Sequence, residues 1–480
     1  TQSRSSAASD VYKRQLYYNW IQFDNREGIG GGVNVYQKNL IEYLVNNTDD
    51  EVYFLSSGWA YDAFNQSTRI EKTDNIFSKT NRCHTYEVIN STIMSPAFEN
   101  HMNPGRYVKD LDTVNIFAKF IKEFGPFDVI HFNNMEGISI NVLKLKKIFP
   151  NTKFIVSIHN YQLICPLVQY FQDNTNKICN DFHAGIDCLN CAFNRPKYKD
   201  YAKRASRYWI LHTKFKIVKP ISDLLIKFKC IDKSRELMGG AETMKAEKYQ
   251  LYRRYNIEQL NKYADAVLSV SQRTAEIMME RGLKPEKSKV LYIGTKVAEA
   301  QVGKSIAHKG SVLTIAYLGY KRIDKGFYFL LEALSLLDTR IASKVNLVLA
   351  VRGATVEEVY SKVPNISKVT IFNGYSHHEL KHILNDVDLG VIPVLWEDNL
   401  PQVSIEMVSM GVPILCSSFG GASELCGDND FVFEGGNSID FINKLSKFVE
   451  HPNLIDKYWG KAMKLKTMGI HYRDLMQIYE

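Results

Sequence analysis

Two acids eight residues apart, Asp398 and Glu406, lie in the segment DLGVIPVLWEDNLPQVSIEMVSMGVPILCSSFGGASEL. Pro401 suits the first position of a helix, Gly411 suits its C-terminal cap, and Pro413 prevents continuation. On that helix Gln402, Glu406 and Ser409 form a narrow polar stripe among Val403, Ile405, Met407, Val408 and Met410. A carboxylate on an otherwise buried helix needs hydrogen-bond donors, because an unpaired buried charge is costly. Hydroxyl groups of a sugar or ribose would supply them. Asp398 falls in the preceding loop, and the free amides of the first helical turn point toward anions. One loop and one helix therefore offer two carboxylates for hydroxyls and amides for a diphosphate. The plain alternative is a surface Glu and a capping Asp.

Further chemistry-bearing residues stand at strand ends. YLGYKRIDKGFYFLLEAL puts Arg322 and Lys325 between a strand and a helix. A departing diphosphate needs such cations, each charge-assisted hydrogen bond contributing about 1.5–3 kcal/mol. In the first half Gly31-Gly32-Val33 follows a strand and opens a helix, so backbone can approach a phosphate or sugar closely. SIHNYQ ends a strand with His159, and DVIHFNN carries His131. In isolation each histidine reads as a structural one.

The elements that position these residues alternate between strand and helix through both halves, the pattern of parallel α/β architecture. LYYNWIQF, EVYFL, DVIHF, KFIVSI, DAVLSV and KVLYI read as strands of the first half. SVLTIAYLG, VNLVLA, VTIFNG, DLGVIPV and VPILCSS read as strands of the second, several wholly apolar as expected for burial on both faces. The expected division is a non-native or disordered leader over 1–15 and a first Rossmann-like domain over 16–295. That domain carries a Cys-containing and basic helical insertion over 165–262. A linker over 296–310, a second Rossmann-like domain over 311–465 and a terminal helix over 466–480, placed to pack back on the first domain, follow. Two doubly wound sheets in tandem bring the carboxyl ends of two strand sets to a shared cleft, where a nucleotide-linked ligand fits.

Taken together, the order and spacing of these segments resemble the retaining glycosyltransferases of group 1 (family 4), which have the GT-B fold. The E-x7-E motif of that family appears as Asp398 to Glu406, its G-R-x-x-x-x-K-G as Gly319 to Gly326, and its glycine loop as SFGGASEL. DVIHFNN, NKYADAVLSVSQRTAEIM and KSKVLYIG match the run through the first domain, and the likeness extends from Leu16 to Glu480. The resemblance implies transfer of a hexose-type sugar from a nucleotide-diphosphate-sugar donor to a glycan or lipid-linked acceptor. The basic insertion adds the expectation of a lipid-linked or cell-envelope glycan acceptor, and so of cell-envelope or extracellular polysaccharide assembly. The resemblance gives Glu406 the donor ribose, Asp398 the sugar hydroxyls, Lys325 the diphosphate and His159 the 6-hydroxyl. Donor contacts are further implied for Gly31, Gly32, Gly319, Arg322 and Gly374, and for Asn399, Leu400 and Gln402. No cofactor is expected, since the nucleotide-sugar is a substrate. Two positions depart from the pattern: the first acid is Asp398, shorter by one methylene, and Tyr320 replaces an arginine. Those departures also suit a sugar-nucleotide-binding protein that has lost turnover.

Composition bounds the alternatives. At 480 residues with 45% hydrophobic and 23% charged content, the chain is long enough for two globular domains. No apolar run reaches the roughly 18–20 residues that span a membrane, and with no export signal in view the cytoplasm is the expected compartment. The net charge of +8 lacks a nucleic-acid-binding motif and concentrates over 195–229, where aromatics interleave with lysines and arginines. That stretch reads as a docking surface for an anionic membrane or as a solvated helical face. Cys165, Cys179, Cys188 and Cys191 suit a structural zinc or free thiols. His378-Glu379-x-x-His382 matches the H-E-x-x-H pattern of zinc proteases, yet Ser376 and Glu379 also form a capping box.

Overall fold

The computed structural model describes residues 13–25, 29–96, 103–172, 175–191, 198–212, 224–231, 233, 245–300 and 312–480. The first half forms an eight-stranded sheet from β1 (Arg14–Tyr18), β2 (Glu51–Ser57), β3 (Arg69–Thr73), β4 (Cys83–Ile89), β5 (Val129–Phe132), β6 (Lys153–Ile158), β9 (Ala266–Ser269) and β10 (Ser288–Val290). A short hairpin of β7 (Phe171–Gln172) and β8 (Lys177–Ile178) lies in the insertion. The order is β10-β9-β6-β5-β1-β2-β4-β3, and every neighbour is parallel except the β3 edge. Strand β1 begins at Arg14, which corrects the expected leader. Arg14 pairs with Glu51 across the sheet, and buried Gln15 donates to Asp50, so both residues belong to the fold.

The second half is a six-stranded, wholly parallel sheet. Its strands are β11 (Leu313–Gly319), β12 (Val345–Val351), β13 (Lys368–Phe372), β14 (Leu389–Ile392), β15 (Ile414–Ser417) and β16 (Val432–Phe433). They run in the order β13-β12-β11-β14-β15-β16. This is the doubly wound order, in which a crevice opens at the carboxyl ends where the order reverses. In the second sheet that point lies between β11 and β14; in the first it lies between β1 and β5. Apolar strands such as LGVI, buried at every position, are explained by helices covering both faces.

The helix Met468–Tyr479 crosses back onto the first half. Tyr36 bonds His471 Nε2 at 2.8 Å, Tyr472 donates to Asp50, and the Tyr479 hydroxyl meets His131 Nδ1 at 2.6 Å. His131 Nε2 takes Ser157, so this histidine is fully engaged in tying the helix down. The insertion packs too: Tyr201, Ala205, Ile226 and Cys230 form a small core with Tyr61 and Met94. Part of the basic stretch is used inside that contact, since buried Arg204 stacks on Trp59 and buried Tyr208 donates to Glu71. Residues 195–197 and 213–223 lie outside the described set.

Replacing Tyr479 by Phe leaves a buried ring nitrogen of His131 without its partner. The expected loss is about 1–3 kcal/mol of unfolding free energy, the usual penalty for an orphaned buried polar group. Urea titration of the two proteins measures it.

Candidate active site

Strand β11 stops at Gly319 and β14 at Ile392, and the loops that leave them meet over the reversal point of the second sheet. Two close backbone approaches fix this meeting. Gly326 has φ +77°, and a Cβ there would fall 1.7 Å from the Pro393 carbonyl oxygen. Gly420 has φ +75°, with a Cβ position 2.1 Å from the Asp398 oxygen. Only glycine fits at either point. The first approach brings Lys325 onto the β14 loop; the second seats the Asp398 backbone against the glycine loop after β15. Lys325 Nζ then lies 2.6 Å from Asp398 Oδ2 and 4.7 Å from the centre of the Trp396 ring.

A cavity of about 240 Å³ opens above this pair. Its second-half wall includes Tyr317, Gly319, Tyr320, Lys325, Trp396, Asp398, Asn399, Leu400 and Gln402. Its first-half wall includes Gly32, Val33, Tyr36, His159, Val270 and Ile293. His159 ends β6 with Nε2 buried and unpartnered among the described protein groups. Burial, with a smaller effect of nearby His471, lowers its pKa to about 3, so the ring is neutral at ordinary pH. The arrangement presents a cation, a carboxylate and a neutral imidazole to one hollow from two directions.

A second set of contacts joins the halves beside the cavity. Arg273 Nη2 reaches buried Glu397 at 2.7 Å, and Glu397 also accepts the Gly420 amide. Glu424 accepts the backbone amides of Gln272 and Arg273 and the Tyr292 hydroxyl. An acid from the second half thus caps the start of the helix Gln272–Glu280 in the first, which suits the positive end of that helix.

The helix Gln402–Ser409 begins one residue after Pro401 and carries Glu406 at 2% exposure. Glu406 Oε2 accepts the Tyr375 hydroxyl at 2.7 Å, and His377 Nε2 lies 2.7 Å from Oε1. Glu406 stands one turn beyond Gln402 and is not on the cavity wall.

Besides Glu406, three expected contacts fall elsewhere. The Arg322 guanidinium is held two-pronged by Asp324, at 2.8 and 2.9 Å, and does not line the cavity. Its charge is spent on a neighbour two residues away. Gly374 packs against Arg352, where a Cβ would come within 2.9 Å of the side chain, and Gly31 starts the first helix beside the cavity with open space around it. Neither is on the cavity wall. Among the residues that the sequence did not mark, Tyr36, Trp396, Arg273, Tyr375 and His377 now stand out, and Glu424 of the SFGGASEL loop gains a role at the helix Gln272–Glu280. His377 adjoins the H-E-x-x-H pattern and Trp396 adjoins the Asp398 loop, but neither carries a local signal of its partner.

That pattern is structural. His378 and Glu379 sit in a tight turn, Glu379 accepts the Ser376 amide as a capping box, and His382 packs edge-on against Phe372 from the next short helix. The eight cysteines are buried and form no disulfide, and Arg253 Nη2 lies 2.9 Å from Cys188 Sγ. Among the described residues no group of three or more His, Cys, Asp or Glu side chains is arranged to hold a metal ion.

Residues 310–451 match the family model described as glycosyl transferases group 1. A comparison with curated proteins finds no match. Among solved structures, the chain superposes on Anabaena HepE in complex with UDP and glucose with a TM-score of 0.54 at 13% identity, covering 97% of this chain and 99% of that one. Sucrose-phosphate synthase from Thermosynechococcus elongatus gives 0.56 at 13% identity, covering 97% and 98%. The lipopolysaccharide outer core galactosyltransferase WaaB, in its apo form, gives 0.54 at 12% identity, again covering 97% and 98%. The fold is therefore GT-B, two Rossmann-like domains facing a central cleft.

The buried histidines set an acid limit. His159 at about 3 and His471 at about 4 are depressed by burial, and His131 is also lowered. The unfolded chain protonates these rings near pH ~6.5 while the folded chain does not, so unfolding takes up protons and stability falls as pH drops from there toward about 4. Urea midpoints at about pH 7.5 and about pH 5 should differ in that direction, with the gap narrowed by His471→Gln.

Proposed function

We propose that this protein is a retaining group 1 glycosyltransferase. It moves a hexose-type sugar from a nucleoside-diphosphate sugar onto a glycan or lipid-linked acceptor in envelope or extracellular polysaccharide assembly. The observation that carries this reading is the Lys325–Asp398 pair on one wall of a cavity whose opposite wall holds the unpartnered His159. The donor's diphosphate meets Lys325 Nζ and the first-turn amides of the helix Gln402–Ser409. Its sugar lies between Asp398 and His159, and its ribose reaches Glu406. With Arg322 taken by Asp324 and Lys321 by Glu358, Lys325 supplies the positive charge at this wall. HepE, solved with UDP and glucose, supports a uridine diphosphate sugar as the donor.

Bond cleavage builds positive charge on the sugar and negative charge on the leaving diphosphate. Lys325 stabilises the second, and because it starts paired to Asp398, donor binding exchanges one anion for another and frees Asp398 for sugar hydroxyls. His159, neutral by burial, donates or accepts one hydrogen bond without bringing charge near the cationic sugar. The leaving diphosphate takes the proton of the incoming hydroxyl on the same face, which retains configuration. Contacts between the halves at Glu397 and Glu424 exclude water that would otherwise consume the donor.

Supporting a cytoplasmic, membrane-apposed location, Leu224, Leu225 and Phe228 are exposed beside exposed Lys227 and Lys229, a combination that suits an anionic bilayer surface. Among the described residues no helix is long and apolar enough to cross a membrane.

A thermal-shift screen against UDP-, GDP- and ADP-linked sugars should show stabilisation by one class, since a ligand that binds the native state raises its melting temperature. Lys325→Ala and Glu406→Ala should each cut transfer by at least about tenfold, as loss of one charge-assisted bond predicts. Unchanged turnover in both variants removes the site assignment; donor binding with no transfer to any acceptor would mark a protein that has lost turnover.

A further inference from the structure

Glu406 is almost wholly buried, yet each of its oxygens already has a partner from a single turn. The Tyr375 hydroxyl donates to Oε2, and His377 Nε2 stands at Oε1, both at 2.7 Å. That turn follows β13, the edge strand, and reaches past the ends of β12 and β11 to a helix that follows β14. The two ends of the contact differ in access: the His377 side chain is 47% exposed and its partner carboxylate 2%.

A carboxylate offers about four acceptor positions. One is used on each oxygen, so each oxygen keeps a further acceptor position for a hydroxyl. We infer that His377 and Tyr375 are positioning residues that hold Glu406 to accept the 2′- and 3′-hydroxyls of a donor ribose, and that the proton on His377 sets how tightly this acid grips them. The inference rests on the donor reading above.

The physical basis is the charge on the acceptor. Hydrogen bonds to an ionised group are roughly twice as strong as neutral ones. When His377 is an imidazolium, its charge offsets that of Glu406 and weakens what the remaining positions can do. When the ring is neutral with its hydrogen on Nε2, it still donates to Oε1 and keeps the geometry, but the carboxylate retains its full charge. Glu406 is the charged group that faces His377 from the packed helix. From its own turn come Tyr375, bonded to the other oxygen, and Ser376, whose hydroxyl is shared with His378 and whose amide is taken by Glu379. Tyr320, in the loop after β11, bears on Tyr375. The hydrogen bond to Glu406 raises the pKa of His377 above the ordinary 6.5, with burial opposing. Ribose affinity accordingly rises as pH climbs through that region.

Calorimetric titration of the full chain with UDP, GDP and ADP, each compared with its 2′-deoxy form, tests this at about pH 5.5 and about pH 8.5. The ratio of ribo- to deoxy-affinity cancels the titration of the phosphates. In the wild type that ratio should rise about threefold or more between the two pH values. His377→Ala should lower the ratio at the higher pH and flatten its pH response. His377→Gln, which restores a donor without a titrating proton, should recover the ratio but not the response. Tyr375→Phe should lower the ratio at both pH values and keep the response. A wild type that binds a nucleotide but shows no preference for the 2′-hydroxyl overturns the inference alone. So does a His377→Ala protein with an unchanged ratio and pH response. A wild type that binds none of the three nucleotides overturns the donor reading together with it.

Discussion

The attraction between Lys325 and Asp398 holds only because two glycines let three loops share one spot. A side chain at 326 would strike the Pro393 carbonyl, and one at 420 would strike the backbone of Asp398. With those approaches made, the ammonium and the carboxylate stand 2.6 Å apart, the carboxylate largely withdrawn from water. Such a pair is costly to desolvate and contributes little net stability, so its presence at a cavity wall points to use rather than to holding the fold together. A diphosphate brings more negative charge than one carboxylate. It can therefore draw Lys325 away, and the released acid then faces the sugar.

The same economy of charge runs through the neighbouring contacts. Arg322 is neutralised by Asp324, Lys321 by Glu358 and Glu397 by Arg273, so the cavity is left with a defined electrostatic character rather than a diffuse positive field. Glu424 works differently, accepting amides at the start of the helix Gln272–Glu280. The terminal helix, bound to Tyr36 and His131 through His471 and Tyr479, adds a second tie onto the first half. The cavity thus lies between halves that are tied together by hydrogen bonds crossing from one to the other.

Much of this was legible in the residues. Apolar runs marked the strands, and the Pro401, Gly411 and Pro413 signals placed the helix Gln402–Ser409 within one residue. Lys325, Asp398 and His159 were legible as candidates because each ends a strand or follows one, where doubly wound sheets open. Partnership was not legible. Nothing in YKRIDKG tells which cation Asp324 will take, because residues two apart meet only in a particular turn. The role of Tyr375 and His377 depends on a contact to a residue about thirty positions away, and Glu424 meets a helix end more than a hundred residues upstream. Arg14 was hidden for a related reason: a polar residue at a strand start shows no periodicity until its partner Glu51 is known.

A crystal structure of the chain with a bound UDP-sugar tests the central claim most directly. The expected result is a diphosphate oxygen within hydrogen-bonding distance of Lys325 Nζ, with Asp398 turned to the sugar and His159 on its opposite side. A nucleotide bound away from this cavity, with the Lys325–Asp398 contact intact, would contradict it.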